Sequence, residues 1–323
     1  MRDKPLLTII VPCYNEEEVL AETMKQLGAI LHDMKDKLVI HEDSDLLFVD
    51  DGSRDKTWEV IENGIAIQDH ISGVKLSRNF GHQNALLAGM QAAEGRADCI
   101  ISIDSDLQDD VGVIPDFVEK YRAGYEVVYG IRDERKTDTR FKRGSAHLFY
   151  TMMGKFGIHL IPDHADYRLL GSMALQEMNL FPENNIFLRG IVPLIGFKSD
   201  KVYYHRKERF AGESKYPLKK MLAFAADGLT SFSVAPIRFV TGLGALMFIV
   251  AIVIGIYTFI QHLSGTATSG WSSLMLSIWV IGGIQMMSLG VVGEYIGRIY
   301  SEVKQRPRFI IETNSYVESG HEK

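Results

Sequence analysis

Cysteine is nearly absent: Cys13 and Cys99 are the only two in 323 residues, and neither has a metal-type partner nearby. That excludes a disulfide framework, and the expected state is two buried thiols in a reducing compartment. His82, His147, His164 and His205 share no spacing that would make a zinc site. Positive charge is not in excess either. Lys and Arg number 35 against 41 Asp and Glu, a net charge of −6, which argues against a nucleic-acid binder. No glycine-rich phosphate loop of the Walker or dinucleotide type follows the first apolar run, which disfavours a kinase, an ATPase and a dehydrogenase. The N-terminus lacks a long apolar stretch with a small-residue cleavage site. No signal peptide is therefore expected, and the N-terminal domain is expected in the cytoplasm.

A mean hydropathy of zero conceals an uneven distribution. Stretches 239–260 and 271–293 carry no charge, and each is long enough for a bilayer, which takes about 20 residues. The loop 261–270 has no Lys or Arg, whereas Arg238, Arg298, Lys304, Arg306 and Arg308 lie on the outer flanks. By the positive-inside rule both flanks are cytoplasmic and the loop is external. The alternative, a buried hairpin in a large soluble protein, is the weaker one. Within 217–236, Leu218, Met221, Leu222, Ala225, Leu229 and Phe232 recur at helical spacing beside Lys219 and Lys220. That pattern predicts an amphipathic helix on an anionic membrane surface, or else a surface helix packed on the domain. The expected division is a cytoplasmic catalytic domain over 1–215, an interfacial helix over 216–236, a two-helix transmembrane hairpin over 237–297 and a cytoplasmic tail over 298–323. Gly282, Gly283, Gly290 and Gly293 permit close helix packing, and with it a homo-oligomer.

The first 130 residues alternate short apolar runs (6–11, 46–49, 74–76, 99–103, 127–129) with helical patterns (17–31, from 56 on, 83–93, 114–121). This alternation predicts an α/β domain with a mostly parallel sheet covered on both faces. Ligands of such sheets lie beyond the carboxyl ends of the strands. The polar clusters fall there: Asn15-Glu16, Asp50-Asp51 and Asp104-Ser105-Asp106. An i, i+2 pair in extended chain points to one side. Asp104 and Asp106 are thus two hard oxygen donors suited to Mg2+ or Mn2+ bridging a diphosphate. From Arg132 the chain turns basic, first through Arg143 and again around Arg206–Arg209 and Lys215.

Assembled, the motifs Val11-Pro12-Cys13-Tyr14-Asn15-Glu16-Glu17, Val49-Asp50-Asp51-Gly52-Ser53, Arg78-Asn79-Phe80-Gly81-His82-Gln83 and Asp104-Ser105-Asp106-Leu107-Gln108-Asp109 resemble those of family 2 glycosyltransferases of the GT-A fold. Asp166-Tyr167-Arg168-Leu169, Gly212-Glu213-Ser214-Lys215-Tyr216, Gly293-Glu294-Tyr295-Ile296-Gly297-Arg298 and Arg306-Pro307 narrow the resemblance. They point to the polyprenyl-phosphate branch, the bactoprenol glucosyltransferases and relatives of dolichyl-phosphate mannose synthase. One departure is Asp110, where proline is expected. The resemblance implies a GT-A nucleotide-sugar-binding domain and inverting transfer to undecaprenyl phosphate at the cytoplasmic leaflet. UDP-glucose or UDP-N-acetylglucosamine is the favoured donor, ahead of GDP-mannose.

The resemblance further implies that Pro12, Tyr14 and Glu16 line the nucleotide pocket, with Asp51 close to the base. Asp104 would face the ribose or diphosphate, Asp106 would bind the metal, and Gln108 would lie beside the sugar. Asp166 is either a general base or an ion-pair partner of Arg168. The acceptor, a phosphomonoester with a second pKa of about 6, is mostly ionised at neutral pH. It therefore needs cationic positioning rather than a strong base. Arg132, Arg143, Arg209 and Lys215 are candidates, with Ser145 as a neutral donor; their other reading is membrane-surface electrostatics. A processive polysaccharide synthase would bring more spans and a Gln-x-x-Arg-Trp motif, and neither is present. Against a non-catalytic membrane scaffold stand the intact Asp51, Asp104 and Asp106.

Overall fold

The computed structural model describes residues 3–132, 164–183, 188–205 and 270–318, with single positions between 237 and 260. Strands β1 (Leu7–Cys13), β2 (Asp45–Asp50), β3 (Ile71–Leu76), β4 (Cys99–Ser102), β5 (Val127–Arg132), β6 (His164–Gly171), β7 (Ser199–Tyr204) and β8 (Ile311–Asn314) form one sheet in the order 7-5-6-4-1-2-3-8. Pairing is parallel for β1 with β2 and β4, β2 with β3, and β5 with β7. Only β6, between β4 and β5, and β8, along β3, run antiparallel.

Helices α1 (Leu20–Asp36), α2 (Thr57–Ile67), α3 (His82–Ala93), α4 (Ile114–Arg122), α5 (Ser172–Asn179) and α6 (Leu188–Leu194) accompany the sheet. Both faces of β1 are apolar because both are covered. Leu7, Ile9 and Val11 join Leu20, Met24, Leu27 and Leu31 of α1 in one core cluster. On the opposite face Ile10 and Val49 meet α3 so closely that a Cβ at Gly89 would stand 2.5 Å from Ile10 Cγ2. Cys13 and Cys99 are buried free thiols.

All five predicted runs are strands, and α1 to α4 lie where helical spacing puts them. The rule that proline ends a strand fails at Pro12: β1 continues through Pro12 and Cys13, opposite Val49 and Asp50. Ile10 accepts from Ile103 on the β4 side and Cys13 from Asp51 on the β2 side. Pro12 thus turns its missing N–H toward β4, where pairing has stopped at Ile10–Ser102, and no ladder bond is lost.

After β7 the next fully described element is α7 (Trp271–Val303), 33 residues or about 50 Å of helix. Within it Val280–Val303 is long and apolar enough to cross a membrane, with a mean hydropathy of 1.3 and none of it buried. It is the one such helix among the described residues. The positions described between 237 and 260 are each helical, and Leu246, Ile249, Val253, Ile256 and Ile260 are exposed. The interfacial helix expected at 216–236 lies outside the described residues.

Part of the stretch expected as a cytoplasmic tail, 298–323, belongs to the sheet. β8 and α8 (Ser315–Glu318) follow α7, and residues 307–318 fall in the same compact unit as β1. Ser315 Oγ accepts the Gly73 N–H at 2.8 Å and donates to the Gly73 carbonyl at 3.0 Å. Tyr316 is buried, its hydroxyl 2.9 Å from Thr8 Oγ1, with the Arg96 guanidinium 5.1 Å from its ring centre.

Thr8 Oγ1 also donates to Asp45 Oδ1 at 2.7 Å. Burial pushes the Asp45 carboxyl up to about 6, against the opposing effects of Thr8 and Lys35. An acid raised in this way keeps its proton in the folded chain where the unfolded chain has lost it. Its contribution is therefore complete below about pH 4 and is lost as pH rises to about 6. Asp45→Asn is expected to be more stable than the parent above pH 6, by about 1–3 kcal/mol, with the difference vanishing toward pH 4. Denaturant unfolding of detergent-solubilised protein across that range measures it; a pH-independent difference would contradict it.

Candidate active site

The carboxyl ends of β1, β2, β3 and β4 lie side by side, so the loops that follow them share one rim. Asp51, just past β2, is only 1% exposed. Its Oδ1 accepts the Phe80 N–H at 2.7 Å and its Oδ2 the Gly81 N–H at 2.9 Å. Burial raises this carboxyl, and the two N–H groups oppose the rise. Asp51 therefore clamps the loop that begins α3. Gly52, at φ 63°, completes the clamp: a Cβ there would stand 2.3 Å from the Arg78 carbonyl carbon. The loop after β1 is knitted to the same place. Asn15, at φ 54°, gives its N–H to Ser53 Oγ at 3.0 Å, and Glu16 gives its N–H to Thr57 Oγ1 at 2.9 Å. Pro12 is buried, Tyr14 is exposed and Glu16 half-buried on this side of the rim.

β6 brings a second group to the rim by running against β4. Ser102 lies opposite Arg168, and the same register continued outward sets Asp104 opposite Asp166. His82, the first residue of α3, places Nε2 3.5 Å from Asp104 Oδ1 and 3.8 Å from Asp166 Oδ2. Asp166 is bonded to the fully buried Arg168, and Arg189 of α6 donates to it from Nη2 at 3.2 Å. Burial alone would raise Asp166, but Arg189, Arg168 and His82 together hold it well below the usual carboxylate range. Of the two roles open to Asp166, the ion pair is the one formed. Asp104 goes the other way, pushed up by burial and by Asp109, Asp166 and Asp106, against His82.

Asp106 Oδ1 accepts the Gln108 N–H at 3.2 Å around Leu107, at φ 55°. Gln108 is buried. Arg132 donates from Nη2 to Asp109 at 3.2 Å and from Nε to the Tyr204 hydroxyl at 3.2 Å, while that hydroxyl donates to Asp109 at 2.7 Å. Arg143, Ser145, Arg209 and Lys215 lie outside the described residues. Among the described residues no three His, Cys, Asp or Glu are grouped to hold a metal ion. A magnesium-type ion needs only one or two carboxylates when a diphosphate supplies further oxygens. The half-buried Asp104 and Asp106 fit that donor set.

Sequence reasoning alone passed over His82, Arg189 and Tyr204. For His82 a signal existed, its place in the Arg78–Gln83 motif; Arg189 and Tyr204 carry none. Asp51→Ala tests the clamp. Two part-buried N–H groups would lose their acceptor, at most about 1–3 kcal/mol each, with faster amide exchange at Phe80 and Gly81. Unchanged exchange there would remove the assigned role.

A family model described as glycosyl transferase family 2 matches residues 8–182, and one described as GtrB C-terminal hairpin matches 235–299. The uncharacterized glycosyltransferase YkoT of Bacillus subtilis is 56% identical over 98% of this chain and 94% of its own. A prophage bactoprenol glucosyl transferase homolog of Escherichia coli is 39% identical, over 95% and 98% of the two chains. The SfII prophage-derived bactoprenol glucosyl transferase of Shigella flexneri is 38% identical, over 95% and 97%. Among solved structures, glucosyl-3-phosphoglycerate synthase from Mycobacterium tuberculosis superposes with a TM-score of 0.44 at 16% identity, over 69% of this chain and 76% of that one. So slight a likeness says nothing of the site. The family match begins in β1 and runs past α5, taking in every strand that carries a rim carboxylate, and the relatives align almost end to end: the chain belongs to glycosyl transferase family 2 and is a glycosyltransferase.

Proposed function

We propose that this chain transfers glucose, with inversion, from a nucleoside-diphosphate donor (UDP-glucose first) to undecaprenyl phosphate at the cytoplasmic leaflet. The observation that carries this is the alignment, over 95% of the chain and including the hairpin, with relatives named bactoprenol glucosyl transferase. The acceptor oxygen is already ionised near neutral pH, since the second phosphate pKa is about 6. It attacks the anomeric carbon, and the nucleoside diphosphate leaves with the bonding electron pair. No strong base is required, and the depressed proton affinity of Asp166 supports a holding role for it rather than a basic one.

Asp104 and Asp106 would hold Mg2+ or Mn2+, which when bound offsets charge on the leaving diphosphate. Pro12, Tyr14 and Glu16 bound the nucleotide side in this reading, and Gln108 the sugar side. Arg143, Ser145, Arg209 and Lys215 are assigned to the acceptor phosphate. Arg132 is the weakest of that group, because Asp109 and Tyr204 already engage its Nη2 and Nε.

Chain topology supports a two-span anchor. β8 follows α7, yet it lies in the same sheet as β1. A chain whose two ends build one sheet crosses a bilayer an even number of times. With α7 as one span, the other falls between β7 and α7, where the charge-free stretch 239–260 lies and where the hairpin match, which runs on into α7, begins. Residues 1–215, completed by 307–318, then form the cytoplasmic catalytic unit, with both termini cytoplasmic and 261–270 external.

A donor screen with undecaprenyl phosphate, read by the mass of the glycolipid, tests the reaction. Glycolipid from UDP-glucose is expected, and product from GDP-mannose alone would replace the donor. Asp106→Asn is expected to lower turnover by on the order of a hundredfold with the fold intact, because a neutral amide ligates a hard dication poorly. Exhaustive chelation should abolish transfer and Mg2+ or Mn2+ restore it; full activity after chelation would eliminate the metal. For the topology, Ser269→Cys should react with an impermeant thiol reagent in intact cells, while a cysteine at Lys323 should not. The reverse pattern would contradict the anchor.

A further inference from the structure

The first turn of α3 meets two other segments of the rim. His82 stands between Asp104 and Asp166. Its neighbour Gln83 turns Oε1 to the Leu188 N–H at 3.1 Å. Arg189 follows Leu188 directly, and its Nη2 and Nε lie 3.2 and 3.4 Å from the two oxygens of Asp166. Gln83, Leu188, Arg189 and Asp166 thus form an unbroken line from α3 to the carboxylate opposite Asp104.

Gln83 is itself a fixed point. Asp51 takes the N–H groups of Phe80 and Gly81, and the Gly81 carbonyl accepts those of Asn84 and Ala85 at 2.9 and 3.1 Å. Beyond it Ala85, Leu86 and Met90 are buried, and Gly89 lies against Ile10. α6 needs such an outside reference. Its seven residues are too few for a helix to be stable alone, and Pro193 removes one N–H from it. Burial of Leu188, Ile191 and Val192 holds α6 to the domain, but apolar contact is non-directional. A directed N–H···O bond fixes its place along its own axis, and with it the reach of Arg189. That reach matters: among the charges that hold the Asp166 carboxyl down against burial, Arg189 has the largest effect, ahead of Arg168 and His82.

We propose that Gln83 is a positioning residue of the glycosyl-transfer site: its Oε1 fixes the Leu188 N–H and so keeps the Arg189 guanidinium on Asp166. This role rests on the rim of β4 and β6 being the transfer site, so its test reads local order as well as activity. Full-length protein in detergent is compared with Gln83→Met, which keeps the length but no acceptor oxygen, and with Gln83→Glu, which keeps one. Arg189→Met and the double variant Gln83→Met with Arg189→Met complete the cycle. Gln91→Met, at an exposed position of the same helix, is the control. Amide exchange is followed over 188–194, and turnover with UDP-glucose and undecaprenyl phosphate.

Gln83→Met is expected to speed exchange at Leu188 and the residues after it by about tenfold. It should lower kcat by about tenfold while the donor KM stays within about twofold. Gln83→Glu should recover most of both, and Gln91→Met should change neither. A residue that acts through Arg189 adds nothing once that guanidinium is gone, so the double variant should match Arg189→Met alone in kcat. Unchanged exchange in Gln83→Met overturns the role. So does faster exchange with an unchanged kcat, or a double variant in which the two losses multiply. If the parent makes no glycolipid, the acceptor reading fails, and exchange alone decides Gln83.

Discussion

Charge crowding at the end of β4 and β6 governs the rim. Asp104, Asp106, Asp109 and Asp166 converge there, and like charges about 4 Å apart repel by about 4 kcal/mol at an effective dielectric near 20. The protein answers with basic side chains at graded depth. Arg168 is fully buried within β6 and bonded to Asp166, and its Nε and Nη1 find no partner among the described residues. Such a cation is tolerable in a core only because a carboxylate faces it; removal of one partner of a buried pair typically costs about 3–5 kcal/mol. Arg189 and His82 then approach the same carboxylate from two separate helices. Asp166 is thereby the point to which three elements are referred, while Asp104 has His82 alone within ion-pair distance among the described residues.

This division was half legible in the sequence. Asp104 and Asp106 announce themselves by following an apolar run, because β1 to β4 are covered on both faces and read as Val, Ile and Leu. β6 does not announce itself. Its buried positions include Arg168, a charged residue at a core position, so its apolar pattern is broken where its function lies. β8 is an exposed edge strand, Ile311-Glu312-Thr313-Asn314, and has no buried face to impose alternation. Pro12 misleads in the opposite sense, since a proline ends a strand only where its missing N–H would face a partner. Asp51 stands in a motif, yet its oxygens are taken by backbone N–H groups.

The order of synthesis adds a last constraint. β3 has β2 on one side and only β8 on the other, and β8 is made after everything between β7 and residue 311. Until then the edge of β3 stays bare, which is the hazard that edge strands carry. The catalytic sheet is therefore closed only by a segment that has already passed through the stretch matched as a hairpin. On the proposed two-span anchor, a chain whose hairpin had gone in with odd parity would leave β8 on the wrong side of a bilayer and β3 uncovered. On that reading, correct insertion and a finished sheet become one condition. Ile310, whose carbonyl accepts the Ser77 N–H at 2.9 Å, and Ile311, paired with Leu76, are where the returning chain meets the carboxyl end of β3.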